Sequence, residues 1–247
     1  MKILVIDVGG THIKVTATGR RGKIEIPSGP NMTAEKAVVA VKEATAGWEY
    51  NAVSMGYPGP VVHNCPFAEP HNLGKGWVKC KFSKAFGRPV KIINDAAMQA
   101  LGSYHGGRML FLGLGTGLGS ALIVDHVLEP MELAHLPYKK GRTYEDYVGL
   151  AGLKRLGKKK WRKNVKEVVV ELRNALQADY VVVGGGNARL LKKLPSKTEL
   201  GDNQNAFRGG FRLWQEPKDA RKVTVPTSQA IAEGKPRHSG HSSHPSH

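Results

Sequence analysis

The sequence Lys-Ile-Ile-Asn-Asp-Ala-Ala-Met-Gln-Ala-Leu-Gly, at positions 91–102, joins a short apolar run to a run of good helix formers. The apolar run predicts a buried strand that ends at Asn94-Asp95, and a predicted helix begins at Ala96. In α/β proteins, ligands bind at the carboxyl ends of strands, where these polar side chains are expected. Two interpretations of Asp95 follow: a base that accepts a proton from a substrate hydroxyl, or only a cap for the helix.

A glycine turn between two predicted strands lies near the start of the chain. Residues 2–8 are almost uniformly apolar, as expected of a strand buried on both faces, and Val15–Thr18 alternates as a second strand. The intervening Gly9-Gly10 pair predicts a β-hairpin whose amides can approach a phosphate without a Cβ in the way. An ordinary hairpin turn is the alternative. Three flanking side chains would complete the site, with the carboxylate holding Mg²⁺ through water: Asp7, Thr11 and Lys14.

The same arrangement recurs near the middle of the chain. Met109–Leu114 and Ala121–Val124 are predicted strands, and between them lies a glycine turn with one threonine, Gly115-Thr116-Gly117. Two glycine turns in matching context predict a duplicated domain that holds a phosphate between its halves. A later buried strand at 179–183 ends in Gly184-Gly185-Gly186, where the backbone could approach a flat ring such as adenine.

Other segments have weaker patterns. Strands are predicted at 23–26 and 52–55, helices at 34–48, 152–176 and 188–194, and an ordered element at 205–214. In the loop at 71–77, the amide of Asn72 suits a sugar hydroxyl, and Trp77 is expected in the core. Glu132 and His135 are three residues apart and can reach one ligand from a single turn.

The overall composition limits the possible partners. The 247 residues include 37 basic and 20 acidic side chains, a net charge of +17, which attracts polyanions. No nucleic-acid-binding motif accompanies the charge, so we expect no nucleic-acid partner. No apolar run approaches the roughly 20 residues of a membrane span, and residues 1–7 do not resemble a signal peptide, so we expect a cytoplasmic protein without a membrane partner. Cys65 and Cys80 have no metal or disulfide spacing.

A basic run lies within the predicted helix 152–176. A run of this kind is usually a solvated helix face, and a groove for an extended polyanion is the alternative. Its cations are Lys154, Arg155, Lys158, Lys159, Lys160, Arg162, Lys163 and Lys166.

Together these motifs resemble the ROK family of sugar kinases, in the actin-like, ribonuclease H-like ATPase superfamily, and most of all its polyphosphate glucokinase branch. The resemblance extends from Lys2 to about Trp214. Residues 7–14 resemble the first phosphate motif, residues 113–120 the second, and residues 184–187 the nucleotide-side glycine turn. Asn94-Asp95 resembles the catalytic pair.

The resemblance implies an α/β fold of two ribonuclease H-like domains around a cleft. We expect an N-terminal domain at 1–106, a C-terminal domain at 107–216 and a largely disordered tail at 217–247. Histidines recur in that tail at positions 238, 241, 244 and 247, where adventitious metal binding is conceivable. The DNA-binding domain that ROK repressors add at the N-terminus is not expected, because the first strand begins at Lys2.

The resemblance also implies a glucokinase that uses Mg²⁺, with polyphosphate, ATP or both as phosphoryl donor and the 6-hydroxyl of glucose as acceptor. The alternatives are a kinase for another hexose, such as mannose or glucosamine, and a sugar-binding sensor impaired in catalysis. A homodimer is expected, and no zinc, because the family's cysteine cluster is absent from the sequence. Ala134 replaces the family's glycine, where a methyl group would strain a turn that needed a positive φ.

The implied roles of the residues are as follows. Asp95 is the catalytic base. The sugar-binding residues are Gly59, Asn72, Asn94, Glu132, His135 and Glu145. The residues that bind the donor or its metal are Asp7, Gly9, Gly10, Thr11, Lys14, Gly115, Thr116, Gly117, Gly185 and Gly186.

Overall fold

The computed structural model describes residues 1–202 and 204–215, which belong to one compact unit. Its strands are β1 (Ile3–Val8), β2 (His12–Ala17), β3 (Ile24–Pro27), β4 (Ala52–Tyr57), β5 (Val61–Val62), β6 (Cys65–Pro66), β7 (Val90–Asn94), β8 (Arg108–Leu114), β9 (Leu118–Val124), β10 (Val127–Met131), β11 (Tyr180–Gly184) and β12 (Thr198–Leu200). Its α-helices are α1 (Ala34–Ala44), α2 (Phe82–Phe86), α3 (Asp95–Ser103), α4 (Tyr144–Val148), α5 (Leu150–Ala175) and α6 (Asn205–Arg212).

Two five-stranded sheets repeat one topology. The strand orders are β3-β2-β1-β4-β7 and β10-β9-β8-β11-β12. In each sheet an antiparallel hairpin, β1–β2 or β8–β9, is followed by two parallel strands. Both hairpins that the glycine patterns predicted are therefore confirmed, and so is the α/β fold class. The proposed domain boundary at 106/107 falls between α3 and β8.

Apolar side chains of each sheet form a separate core. One lies between the first sheet and α1, where Ile6 and Val41 are both 1% exposed, and another lies between the second sheet and α5, where Trp161 is fully buried. Burying one large apolar side chain contributes about 1.5–3 kcal/mol. The alanines of α3 pack on the second sheet, while Met98 packs with Ile3 of the first. Helix α3 therefore contacts both sheets.

Close contact between α3 and α6 depends on glycine. A methyl group at Gly102 would overlap the backbone of Asn205, and one at Gly209 would overlap the backbone of Met98. Helix α6 also reaches the first sheet, because the Ser54 hydroxyl donates a hydrogen bond to the carbonyl of Gly210. Strand β4 of the first sheet and the helix that packs on α3 are thus tied together.

Most predicted elements are present, but some helix ends are wrong. All strands predicted from the pattern occur, and the Thr33 side chain caps α1 by accepting from Lys36 N at 3.2 Å. Helix α1 stops at Ala44 rather than near residue 48, because Gly47, at φ 76°, takes a left-handed turn. The helix predicted at 188–194 is a single 3-10 turn, Ala188–Leu190, after which the chain becomes extended ahead of Pro195.

Helix α5 begins two residues before its predicted start and is interrupted at Gly157, which has φ 72° and ψ 158°. The basic run continues after this kink. No helix within residues 1–202 or 204–215 combines the length and apolar character of a membrane span. The tail predicted from residue 217, with its four histidines, lies outside the described residues.

Candidate active site

A cavity of about 580 Å³ brings most of the predicted site residues together. Its walls come from both sheets: the turn after β1, the loops after β4, the β7–α3 junction, the β8–β9 turn and the start of α4. The predicted residues that line it are Gly9, Gly10, Gly59, Asn72, Asn94, Asp95, Gly115, Thr116, Gly117, Glu132, His135, Glu145 and Gly185. A larger cavity, about 720 Å³, lies at residues 1–2, 42–51 and 86–88, away from this cluster.

Asn94 rather than Asp95 caps helix α3. The Asn94 Oδ1 accepts from the backbone amides of Ala96, at 2.9 Å, and Ala97, at 3.2 Å. Its Nδ2 donates to the carbonyl of Gly59 at 3.1 Å, which fixes the loop after β4. The interpretation of Asp95 as only a helix cap is therefore wrong, and the cap leaves its carboxylate at the cavity wall.

The Asp95 carboxylate is electrostatically unusual. Its pKa is raised to about 7. Burial contributes most to this rise, the nearby Asp7 and Glu132 carboxylates add to it, and the hydrogen bond from Ala96 N opposes it. At neutral pH a substantial fraction of this group is ionised and able to accept a proton, as a general base requires.

Asp7 lies on β1, directly across the hairpin from Lys14. Burial raises the pKa of Asp7, and Lys14 and Lys23 oppose that rise. Lys14, which the sequence predicted as a donor-binding cation, is therefore close enough to Asp7 to lower the pKa of its carboxyl group. Three residues near β1 that were predicted to bind the phosphoryl donor are absent from the cavity wall in the described part of the chain. They are Asp7, Thr11 and Lys14.

The first glycine turn is held by backbone contacts. The Gly9 amide donates to His12 O at 3.1 Å, and the Ser28 hydroxyl donates to Gly9 O at 2.7 Å. A Cβ on Gly10 would lie 3.1 Å from the Cβ of Asn72. Glycine is needed here because neighbouring groups approach closely, and neither residue has a positive φ.

The second glycine turn is held by side chains and by other elements. The Leu118 amide donates to Glu145 Oε2 at 3.0 Å, and a methyl group on Gly117 would overlap that carboxylate. The first amide of α5, at Leu150, donates to Thr116 O at 3.1 Å. The Asn187 Nδ2 donates to Gly115 O at 2.9 Å.

Four amides of the two turns remain available. Within the described chain, these N–H groups donate no hydrogen bond: Gly10, Thr11, Thr116 and Gly117. Successive unpaired N–H groups in a turn form an anion-binding concavity. Gly185, at φ 83°, packs on the backbone of Leu114 and joins this cavity to a second one of about 310 Å³, which Gly186 lines.

The predicted sugar-side residues are less buried. Asn72, Glu132 and His135 are exposed on the cavity rim. Ala134 is buried and is not among the described residues with positive φ, so the condition under which its methyl group would strain the turn is not met. Its carbonyl accepts from Glu145 N at 3.0 Å, which links the turn after Glu132 to α4. Trp77 is fully buried between Tyr57 and Phe82, as predicted.

Two residues of the site were missed by the sequence reasoning. Gln99 lines the cavity four residues after Asp95, a spacing that places both on one helix face and would have identified it. Ser120 is buried and donates from its hydroxyl to Met131 O at 2.7 Å while accepting from Leu133 N at 3.2 Å. Ser120 therefore holds the end of β10, directly before Glu132. No local sequence pattern predicts this contact.

The donor set at Asp7 and Asp95 fits a hydrated divalent cation. Magnesium binds through one or two carboxylates, waters and substrate phosphates, and two carboxylates whose pKa values are both raised by burial would be stabilised by such a charge. In the described part of the chain, no three His, Cys, Asp or Glu side chains converge as a metal cluster.

The sequence of this chain is similar to a family of known proteins and to individual members of known function. Residues 3–129 match the sequence model of the ROK family. The polyphosphate glucokinase of Mycobacterium tuberculosis is 29% identical over 212 residues, covering 76% of this chain and 78% of the relative. A glucokinase of Pyrobaculum calidifontis is 31% identical over 137 residues, covering 51% of this chain and 45% of the relative.

The fold is also similar to that of solved structures. The crystal structure of the inorganic polyphosphate/ATP-glucomannokinase from Arthrobacter sp. strain KM matches with a TM-score of 0.71 at 24% identity, covering 85% of this chain and 96% of that one.

Proposed function

The chain belongs to the ROK family, and on that premise we propose that it is a glucokinase that transfers a phosphoryl group from polyphosphate, ATP or both to the 6-hydroxyl of glucose. The observation that carries the proposal is the position of Asp95, whose pKa is about 7, in one cavity with both glycine turns. The similarity to the mycobacterial polyphosphate glucokinase supports the choice of substrates.

In the proposed reaction, Asp95 accepts the proton of the sugar hydroxyl as its oxygen bonds to the transferring phosphorus. The bond from that phosphorus to the bridging oxygen of the donor breaks, and the shortened donor leaves. Asn72, Glu132 and His135 would hold the hexose at the rim of the cavity. Positioning supplies most of the catalysis in this chemistry, so the Asn94 cap would contribute by holding the start of the helix that carries Asp95.

The donor phosphates would bind the free amides of the two turns. Fixed N–H groups stabilise developing negative charge without reorganising during the reaction. The hydroxyls of Thr11 and Thr116 and the cation of Lys14 would add to this binding, with Gly185 and Gly186 on the side of the leaving donor. Asp7, together with Asp95, would hold Mg²⁺ through water. When bound, the ion offsets charge on the transferring phosphoryl group.

A coupled assay tests the proposal. Glucose, mannose and glucosamine are each offered with polyphosphate and with ATP, using the wild type and Asp95→Asn. We expect glucose turnover by the wild type and a loss of about 10³-fold in kcat for the variant, the usual range for a general base. Asp125→Asn, at an exposed turn, is the matched control and should leave kcat unchanged. Near-wild-type turnover by Asp95→Asn would remove Asp95 as the base.

The same assay separates the remaining alternatives. Phosphorylation of mannose or glucosamine in preference to glucose would identify another hexose kinase, and sugar binding without turnover would identify a sensor. A homodimer and a cytoplasmic location stay predictions, the first of which sedimentation would test. The division into domains at 106/107 also stays a proposal.

A further inference from the structure

Helix α5 has two chemically different flanks after its kink at Gly157. Lys159, Arg162, Lys166 and Arg173 are separated by three, four and seven residues, which places them on one stripe of the helix. We call this stripe the basic flank. Lys160, Glu167 and Glu171 follow with spacings of seven and four on another stripe. There Glu167 pairs with Lys139, and Glu171 accepts from the Tyr144 hydroxyl.

The basic flank lies against a second set of cations. The Arg162 side chain donates to Leu190 O at 2.6 Å, and that of Arg173 donates to Ser196 O at 2.7 Å. The chain between these two carbonyls is therefore held along about 16 Å of helix. We call residues 189–197 the strip, and it carries four exposed cations: Arg189, Lys192, Lys193 and Lys197.

No acidic side chain neutralises this combined surface within the described residues, where none of its cations forms an ion pair. The two acids that follow the strip in sequence are engaged elsewhere. Asp202 pairs with Arg208, and Glu199 contacts His105. Mutual repulsion among unpaired cations disfavours the folded state, so the surface would gain stability from a bound polyanion.

The surface begins at the donor side of the cavity. Gly185 lines both the main cavity and the smaller one, and Arg189, the first cation of the strip, lines the smaller one. At the same end of the surface, α5 begins with the Leu150 amide, which donates a hydrogen bond to Thr116 O of the second glycine turn. From the turns, a linear polyanion would pass the smaller cavity, where Asp202 is paired with Arg208, and extend along the cations of the strip and of the basic flank.

Resting on the proposed function, we propose that the basic flank and the strip 189–197 form a track that binds the distal part of a polyphosphate chain while its terminal phosphate occupies the cavity. Long polyphosphate contacts the track, whereas tripolyphosphate and ATP are too short to extend along it. The track thus acts on the affinity for long donors and leaves the chemical step unchanged.

The test compares two double variants with the same loss of charge. Lys159→Gln with Lys166→Gln removes two exposed cations of the basic flank, and neither side chain contacts the cavity. Lys160→Gln with Lys84→Gln is the control, on the other stripe of α5 and on α2. Initial rates are measured with long-chain polyphosphate, tripolyphosphate and ATP at several salt concentrations. Binding of long-chain polyphosphate is titrated directly.

We expect the KM for long-chain polyphosphate to rise about tenfold in the flank variant relative to the control, with kcat unchanged and a weaker dependence on salt. The KM for tripolyphosphate and for ATP should change less than about twofold. Equal shifts in both double variants, or an equal shift for all three donors, would overturn the track.

The direct titration keeps this proposal separate from the proposed function. If glucose is not phosphorylated by any donor, the glucokinase proposal fails, and the track is then judged by binding alone. Weaker polyphosphate binding by the flank variant supports it, and unchanged binding overturns it. Equally strong competition by a single-stranded oligonucleotide of the same charge would overturn polyphosphate as the occupant.

Discussion

The two glycine turns face one cavity but are supported differently. The turn after β1 rests on its own hairpin and on one serine, Ser28. The turn after β8 is held by three separate elements, through Glu145, Leu150 and Asn187. The second turn is therefore held by more elements than the first, and we expect it to be the more rigid of the two. The rigid turn should determine where the transferring phosphate lies.

The largest expected effect separates the turns directly. Gly117→Ala places a methyl group on the Glu145 carboxylate and should lower kcat/KM by about 10²-fold or more, since small misplacements of reacting groups cost this much. Gly10→Ala meets only the Asn72 side chain, at 3.1 Å, and should cost less than about tenfold. Steady-state kinetics measures both variants, with melting temperatures as the control. Equal losses would show that the turns do not differ in rigidity.

A second effect concerns the carboxylate that lies with the two turns in the cavity. The folded-state pKa of Asp95, about 7, is above the ordinary 3.8, so the folded state retains a proton over this interval that the unfolded state has lost. Stability therefore falls as the pH rises from about 4 to 7. Asp95→Asn should raise the free energy of unfolding by up to a few kcal/mol at pH 8 and by little near pH 4.

Urea titrations at the two pH values measure this difference. We also expect the same variant to lose turnover, so that a gain of stability and a loss of activity occur together. A variant that is destabilised at pH 8 would contradict the raised pKa.

A third, smaller effect compares the supports of the turns. Glu145→Gln keeps the shape of the side chain but makes its bond to Leu118 N neutral, and the KM for the donor should rise about tenfold. Ser28→Ala removes one neutral hydrogen bond from the first turn and should raise that KM less than about fivefold. The donor KM of each variant is measured in kinetics that vary both glucose and the donor. A larger rise for Ser28→Ala than for Glu145→Gln would contradict the difference proposed between the two turns.

The smallest effect is expected at Ala134, whose carbonyl supports Glu145. Because its φ is not positive, Ala134→Gly relieves no strain and should lower stability by about 0.5–1 kcal/mol. The KM for glucose should change less than about twofold. Thermal unfolding and glucose kinetics check this. A marked gain in glucose affinity would mean that the methyl group does hinder the sugar.

Much of the fold follows from local pattern. Alternation and glycine pairs predict both hairpins, and the carboxyl ends of β1, β4 and β7 then converge by topology. Helix ends are less predictable, because Gly47 ends α1 before its apolar pattern does. Helix α4 was not predicted, although Thr143 and Asp146 form a capping box at its start.

The sequence predicted which residues belong to the candidate site better than it predicted the contacts between them. The strand–helix junction identified Asn94 and Asp95, but only the fold decides that Asn94 caps the helix and leaves Asp95 to the cavity. Likewise Glu145 was expected near the sugar, and its bond to Leu118 N depends on two segments distant in sequence. Such contacts depend on tertiary packing, which no local spacing encodes.

The close contact of α3 and α6 at Gly102 connects the packing of these helices to the position of Asp95. Gly102 lies seven residues from Asp95, about two turns or 10 Å along the helix axis. Any side chain larger than hydrogen at Gly102 would push the far end of α3 away from α6, and a rigid rod displaced at one end also moves at the other. We therefore expect substitutions at Gly102 to lower turnover although this residue lies outside the cavity wall.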